Sequence, residues 1–395
     1  MNNKIFERYM SRKTKIFLLS ATMVWFCSCN EKRQTGIAKS ETISVEKNQE
    51  VSLKDTFKED FLIGAALNTS QIKEINTRAL KVIQREFSAI TPENDMKWEQ
   101  IHPEPDAYFF DVADAYVDLG QKAGMHIVGH TLVWHSQLAP WVHEVKDSTD
   151  MADYIEKHIN TIVSRYKGKI HSWDVVNEAL NEDGTPRESI FYNVMGGENY
   201  IELAFRLAAK ADPDAKLIYN DYNLWKPEKR KGVIRIVQNL QKKGIKIDAV
   251  GMQAHWSIEG PSIKDIEDSI IAYAALGVEV MFTELDVTAL PNPWELNGAA
   301  VEQSYERYEG DPKFNPYPNG LTSRAKEKIN SRYEDIFKLF LRHKEKISRV
   351  TFWGVNDGQS WLNNWPIKGR TNYPLLFDRE FQPKSSYERV IALKQ

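Results

Sequence analysis

The chain has 395 residues, 42% of them hydrophobic and 27% charged, and a formal net charge of −3. That is the composition of a globular, water-soluble protein long enough to bury a sizeable core. The first 29 residues hold five basic side chains (Lys4, Arg8, Arg12, Lys13, Lys15) against Glu7, so the rest holds 47 basic and 54 acidic residues, a net of −7; no basic stripe is left to attract a nucleic acid, and the folded part gives no reason to expect a membrane surface.

After the basic stretch comes an apolar run from Ile16 to Phe26, eleven residues long, which is too short to span a bilayer but fits the core of an export signal. It ends in Phe26-Cys27-Ser28-Cys29 and turns polar at Asn30-Glu31-Lys32-Arg33. A small residue followed by Cys at this point resembles a bacterial lipoprotein signal. The resemblance implies that residues 1–28 are removed and that Cys29, lipidated, begins the mature chain at the membrane or cell surface. An ordinary cleaved secretory signal is the alternative. Cys27 and Cys29 are the only cysteines, so an exported domain here rests on its core and not on disulfides. Residues 29–52 are polar without a sustained apolar period and read as a tether, with a reach of roughly 25 Å as a flexible coil.

From Leu53 to Gln395 we expect one catalytic domain. Strand-like apolar segments recur at Phe61–Ala66, Phe87–Ile90, His126–Trp134, Ser172–Asn177, Lys216–Asn220, Ala249–His255, Val278–Glu284 and Arg349–Val355. The stretches between them include helix-like patterns at Tyr200–Ala211, Pro227–Lys243 and Ser323–His343. Eight strands alternating with amphipathic helices predict parallel pairing and a closed (β/α)8 TIM barrel of the α/β class. The main interruption is a polar loop, Pro291–Gly320, after the seventh strand, and a loop of that length on the strand-end rim is expected to be functional or mobile.

Polar and aromatic clusters fall at the C-terminal ends of these strands: Glu93-Asn94-Asp95-Met96-Lys97-Trp98, Gly129–Gln137, Asn177-Glu178, Asn220–Asn223, Gln253-Ala254-His255, Glu284-Leu285-Asp286 and Trp353–Asp357, with Trp361 just beyond. Any one of them alone reads as a loop cap or a core aromatic. Seven together converge on one face of a barrel, where active sites are built. Glu178 and Glu284, each closing an apolar run, form the carboxylate pair that glycosidic bond cleavage requires. Trp faces stack on sugar rings, and Asn, Gln, His, Lys and Glu bond hydroxyls. No phosphate-binding glycine loop occurs, and His130 and His135 lack metal-ligand spacing, so neither a metal nor another cofactor is expected.

The segments Thr91–Trp98, Gly129–Gln137, Trp173–Ala179, Asn220–Asn223, Thr283–Asp286 and Thr351–Trp361 resemble glycoside hydrolase family 10, the endo-1,4-β-xylanases, in the same order along residues 53–387. The resemblance implies a retaining mechanism on xylan and xylo-oligosaccharides, with Glu178 as acid/base and Glu284 as nucleophile. It implies that His255 and Asp286 orient and ionise Glu284, and that Asn177 bonds the sugar 2-hydroxyl. Glu93, Asn94, Lys97, His130, Trp134, Gln137, Gln253, Trp353 and Trp361 resemble the glycone-side surface, and Tyr222 the aglycone side. Lys97, Trp353 and Trp361 resemble residues that crowd the position of a C6 hydroxymethyl group, which favours xylose. Met252 and Ala254, where the family commonly has Phe and Ser, are departures expected to affect packing only. A monomer is expected. The alternatives are a β-1,4-glucanase or cellobiosidase on the same scaffold, a transglycosylase sharing the covalent intermediate, and a non-catalytic xylan-binding lipoprotein. The last would be expected to lack one of the two glutamates, and both are present.

Overall fold

The structure, a computed structural model, describes residues 51–296 and 301–395. The expected signal, Cys29 and all but the end of the expected tether lie outside the described residues. Its last residues are held: Tyr387 Oη donates to the Val51 carbonyl at 3.1 Å, and buried Ser52 caps the helix Leu53–Phe57 by accepting from the Asp55 amide.

The strands are β1 (Leu62–Leu67), β2 (Ala89–Pro92), β3 (His126–Trp134), β4 (Ser172–Asn177), β5 (Lys216–Asp221), β6 (Ala249–Met252), β7 (His255–Ser257), β8 (Glu279–Thr288) and β9 (Ile347–Phe352). Successive strands β1 to β6 pair in parallel, β6 pairs β8, β8 pairs β9, and β9 pairs β1, which closes an eight-stranded barrel. The strands are buried along nearly their whole length, as expected where helices cover the outside of a parallel sheet.

The helices follow the sequence pattern closely, at Asn199–Ala211, Pro227–Lys242 and Ser323–Arg342. In the last of these, Thr322 caps the start by accepting from the Ala325 amide, and Ala325, Ile329, Tyr333, Ile336, Phe337 and Phe340 form the buried stripe. Each large apolar side chain fully buried this way contributes about 1.5–3 kcal/mol relative to exposure.

Three strand boundaries differ from expectation in a way that matters. The sixth strand breaks at Gln253-Ala254, where Ala254 adopts φ +67, and resumes as β7 one step out of line with β6. The seventh position in the barrel, β8, therefore runs past Glu284 to Thr288, because β7 gives its outer half a partner, with His255 opposite Asp286. The last strand stops at Phe352: the Trp353 amide donates to the Leu285 carbonyl at 3.1 Å, and Gly354 at φ +128 turns the chain across the barrel mouth.

The long segment after β8 has structure of its own. Tyr305 and Phe314 from it bury against Ile367, with Leu296 and Tyr308 packed alongside, and Glu306–Tyr308 forms a 3-10 turn.

Candidate active site

Strand register alone sets the inner arrangement. Asn177 pairs with Trp134 on one side and Asn220 on the other, and His130 pairs with Asp174 one layer below. Asn220 in turn faces Gly251, where a Cβ would stand 2.5 Å from Asn220 Oδ1; glycine there leaves the Asn220 side chain room to cross the barrel mouth.

Glu178 follows β4 and is 4% exposed. Its Oε2 accepts from Trp134 Nε1 at 2.8 Å and its Oε1 from Gln253 Nε2 at 2.9 Å and Asn177 Nδ2 at 3.3 Å. Burial pushes its carboxyl pKa above the usual value and the charge of Glu284 adds to this, while the Gln253 and Trp134 donors and the Arg187 guanidinium oppose it without cancelling it. The backbone of Glu178 is left-handed, φ +56, a conformation that costs a non-glycine residue about 1–3 kcal/mol. Arg187 braces it: Nε donates to the Glu178 carbonyl at 2.9 Å, and Nη2 donates to the Leu180 carbonyl and to Tyr222 Oη.

Glu284 is buried to the same extent but is displaced the other way. Its Oε1 accepts from Asn220 Nδ2 at 2.9 Å, and its Oε2 lies 3.1 Å from His255 Nε2. Burial again pushes its pKa up, yet the His255 hydrogen bond, the nearby His130, the His255 charge and Asn220 together overcome this and leave it below the ordinary glutamate value. His255 is held from behind by Asp286, whose Oδ2 lies 3.0 Å from Nδ1 and also accepts from Trp361 Nε1 at 2.9 Å. Burial disfavours the imidazolium, but two flanking carboxylates, Asp286 first, outweigh it and raise the His255 pKa to about 10. Amides link the two glutamates, since Asn177 Oδ1 accepts from Asn220 Nδ2 at 2.9 Å and from Gln253 Nε2 at 3.3 Å.

Around the pair lies a cleft of about 200 Å³ lined by Glu93, Asn94, Lys97, His130, Trp134, Gln137, Gln253, Trp353 and Trp361, with Asn177, His255 and Val301. Lys97 Nζ donates to Asn94 Oδ1 at 2.8 Å and Gln137 Oε1 at 2.7 Å, and stands 4.8 Å from the Trp134 ring centre. A wider groove of about 570 Å³, bordered by Ser257, Glu259, Asn292, Tyr317 and Lys328, contains neither glutamate. Among the described residues, no three His, Cys, Asp or Glu side chains gather as a metal site.

A barrel closed by eight strands and carrying two oppositely tuned glutamates at β4 and β8 has a counterpart among known families: the model of glycosyl hydrolase family 10 matches residues 52–393. The chain belongs to glycosyl hydrolase family 10. Its relatives include endo-1,4-beta-xylanase A of Xylanibacter ruminicola, 43% identical over 89% of this chain and 95% of that one. The beta-1,4-xylanase of Dictyoglomus thermophilum is 40% identical over 86% and 90%. Among solved structures, a GH10 endoxylanase from a sugarcane soil metagenome superposes with a TM-score of 0.83 at 46% identity, covering 87% of this chain and all of that one. A xylanase of Paenibacillus barcinonensis, solved with a conduramine derivative, gives 0.77 at 37% identity over 87% and 99%.

Within this family-10 domain, every expected cleft residue except Tyr222 lines the cleft or, as Asp286 does, stands directly behind it. Tyr222 is 3% exposed; its hydroxyl accepts from Arg187 at 2.7 Å and the Lys229 ammonium lies 3.6 Å from its ring centre. Lys229 is wholly buried and ion-paired with Asp221 at 2.8 Å. The sequence assigns no role to Asn220, Asp174 or Arg187. Asp174 carried a signal, as a charge inside an apolar strand, and His130 Nδ1 lies 2.8 Å from its Oδ2. Asn220 stood in a strand-end cluster but its bridging role depends on Gly251. Arg187 lies in an irregular segment nine residues after Glu178, with nothing in its spacing to mark it.

Proposed function

We propose that Glu178 is the general acid/base and Glu284 the nucleophile for endo-hydrolysis of β-1,4-xylosidic linkages in xylan, the retaining reaction of family 10. The observation that carries the assignment is the different surroundings of two equally buried glutamates: Glu178 accepts only from the neutral donors Trp134, Gln253 and Asn177, whereas Glu284 faces His255 backed by Asp286, which biases Glu178 towards keeping its proton and Glu284 towards losing it. In the first step a Glu284 oxygen bonds to the anomeric carbon while the bond to the leaving oxygen breaks, and that oxygen takes the Glu178 proton. Esterification removes the charge of Glu284, so the repulsion that helped keep Glu178 protonated disappears. Glu178, now a carboxylate, takes a proton from water as the water oxygen attacks the same carbon and Glu284 leaves with its electron pair. Two inversions give net retention.

His255 keeps Glu284 ionised, with Asp286 fixing the imidazole. Asn177, already amide-linked to both acids, is placed to bond the sugar 2-hydroxyl, and the Trp, Lys and amide groups of the cleft bind the glycone. Lys97, Trp353 and Trp361 crowd the position of a C6 group and so favour xylose. Proton NMR of fresh xylo-oligosaccharide digests tests the reading. The β-anomer is expected first; initial α-product, or digestion of β-glucan in preference to xylan, would overturn it.

Replacing His255 by Gln tests the tuning of Glu284. Burial then acts without the imidazolium opposing it, so the nucleophile holds its proton to higher pH. The acidic limb of the kcat/KM profile moves to higher pH; an unmoved limb would remove His255 from this role. In the folded state His255 titrates near 10 against 6.5 for a free imidazole. Its contribution to stability is therefore complete below about pH 6.5 and lost as pH rises through 10.

Beyond the site, we propose that residues 1–28 are a lipoprotein signal, residues 29–52 a tether from acylated Cys29, and residues 53–395 the exported catalytic domain, acting as a monomer. Support for the signal comes from the apolar run Ile16–Phe26 leading to Ser28-Cys29; the described chain begins at Val51. The Leu53 amide donates to Glu86 Oε2 at 2.9 Å, and Glu86 ends the helix that leads into the start of β2. Leu53 therefore enters the barrel at the N-terminal end of β2, on the face opposite the strand ends that carry Glu178 and Glu284. Incorporation of labelled fatty acid that is lost in Cys29→Ser checks the anchor, and unlabelled protein reduces it to a secretion signal.

A further inference from the structure

Trp294 is the most exposed of the large apolar side chains described, at 89%. A tryptophan buries about 150–250 Å² when covered, so an exposed ring offers a partner a large contact area. The described chain on either side of it is hydrogen-bonded. Before it, Arg370 Nη1 donates to the Pro291 carbonyl and to Asn292 Oδ1, both at 3.1 Å. After it, Glu295 accepts from Arg307 at 2.8 Å and from Tyr308 Oη at 3.1 Å, while the Leu296 amide closes a turn on the Pro293 carbonyl. Leu296 then packs on the small core of Tyr305, Phe314 and Ile367. The chain is pinned on both sides of a residue that projects outward.

The pins lead back to the catalytic cleft. Arg370, 5% exposed, also donates through Nη2 to the Trp365 carbonyl at 2.7 Å. Trp365 stacks on Trp361 with ring centres 4.5 Å apart and planes 16° from parallel, and Trp361 lines the cleft. The Tyr305 amide bonds the Pro366 carbonyl, and Ile367 comes from the same segment, so the loop after β8 and the segment carrying Trp361 are built as one wall. Val301, farther along the same loop, lines the cleft directly.

We propose that Trp294 is a stacking platform for a xylosyl unit of a β-1,4-linked chain already seated at Glu178 and Glu284, extending recognition beyond the cleft itself. The occupant is the polysaccharide because the wall that carries Trp294 is continuous with the wall that holds the reacting sugar. Pentopyranose rings, lacking the hydroxymethyl group, offer flat apolar faces suited to an unencumbered indole. The inference rests on the xylanase reading but is tested apart from it, on chain-length dependence.

Steady-state kinetics of wild type, Trp294→Ala and Trp294→Phe on xylohexaose, soluble xylan and an aryl β-xylobioside decide the matter. In Trp294→Ala, KM for xylohexaose and xylan is expected to rise roughly three- to tenfold with kcat nearly constant. The xylobioside, too short to reach Trp294, should change less than twofold, and Trp294→Phe should recover part of the loss. Xylohexaose, unlike xylobiose, should quench the wild-type tryptophan emission more than that of Trp294→Ala. Equal loss on long and short substrates would mean a structural role and overturn the proposal, as would unchanged KM on all three. A wild-type dimer in sedimentation that Trp294→Ala converts to monomer, with length dependence intact, would assign the ring to a second copy of the chain instead. A wild type inactive on every xyloside would refute the function itself and not merely the platform.

Discussion

Glu284→Ala is expected to lower kcat on every xyloside, activated or not, by roughly 10⁴- to 10⁶-fold, the scale on which loss of a covalent nucleophile is felt. No neighbour can take its place. Asp286 is fully buried behind the site and engaged by His255 and Trp361, and Glu178 is held apart by Trp134 and Gln253. The fold should survive the change, because His255 keeps Asp286 as its counter-ion and Asn220 keeps Asn177 as an acceptor. The space vacated by the carboxylate admits a small anion: added azide should attack the anomeric carbon of an aryl xyloside from that face and give the α-glycosyl azide. Mass spectrometry with a 2-fluoro xylobioside supplies the second check. Wild type should carry one stable adduct on the peptide containing Glu284 and the variant none. Residual turnover within a hundredfold of wild type, or an adduct on another residue, would give the nucleophile role to a different group.

The sequence made these residues visible because strand ends of a parallel barrel converge, so a linear list of polar ends is also a map of one face. The pairing of Glu178 with Trp134, and of His255 with Glu284 and Asp286, needed more. It depends on register and on the left-handed turn at Ala254 that sets β7 out of line with β6, and neither is encoded in a periodic pattern. Arg187 and Lys229 escaped notice for a similar reason. One lies in an irregular segment, and the other sits near the start of the helix Pro227–Lys242 among Lys and Arg residues that read as a solvated face, yet it is buried against Asp221 and Tyr222. That burial also explains why Tyr222, read as an aglycone contact, is packed on Lys229 and bonded to Arg187 and does not border the cleft around the two glutamates. The small core of the loop after β8 joins Tyr305, Phe314 and Ile367 across some sixty positions, a spacing to which local periodicity is blind. The expectation of a functional or mobile loop therefore missed that much of it is packed.

Glu178→Ala should separate the two chemical steps. On xylan, whose leaving alkoxide needs a proton, the loss is expected to be about 10²- to 10⁴-fold, the usual worth of a positioned general acid. With a dinitrophenyl xylobioside the first step needs no proton and should stay near the wild-type rate. Hydrolysis of the intermediate lacks its base, so a burst of phenol equal to the enzyme concentration should precede slow turnover, with a lowered KM as the ester accumulates. Azide, which attacks without base assistance, should restore the second step and form the β-glycosyl azide, opposite in configuration to the Glu284→Ala product. Alanine at φ +56 loses nothing from the Arg187 brace, which holds the main chain, but it strands Trp134 Nε1 and one amide hydrogen each of Gln253 and Asn177, at about 1–3 kcal/mol for each donor that stays dry. A modest fall in Tm is therefore expected and must not be read as the kinetic effect. Glu178→Gln keeps an acceptor for one of those donors and should recover stability without recovering turnover on xylan. If the glutamine variant recovered both, the carboxyl group would be acting as a scaffold and the acid would have to be sought elsewhere.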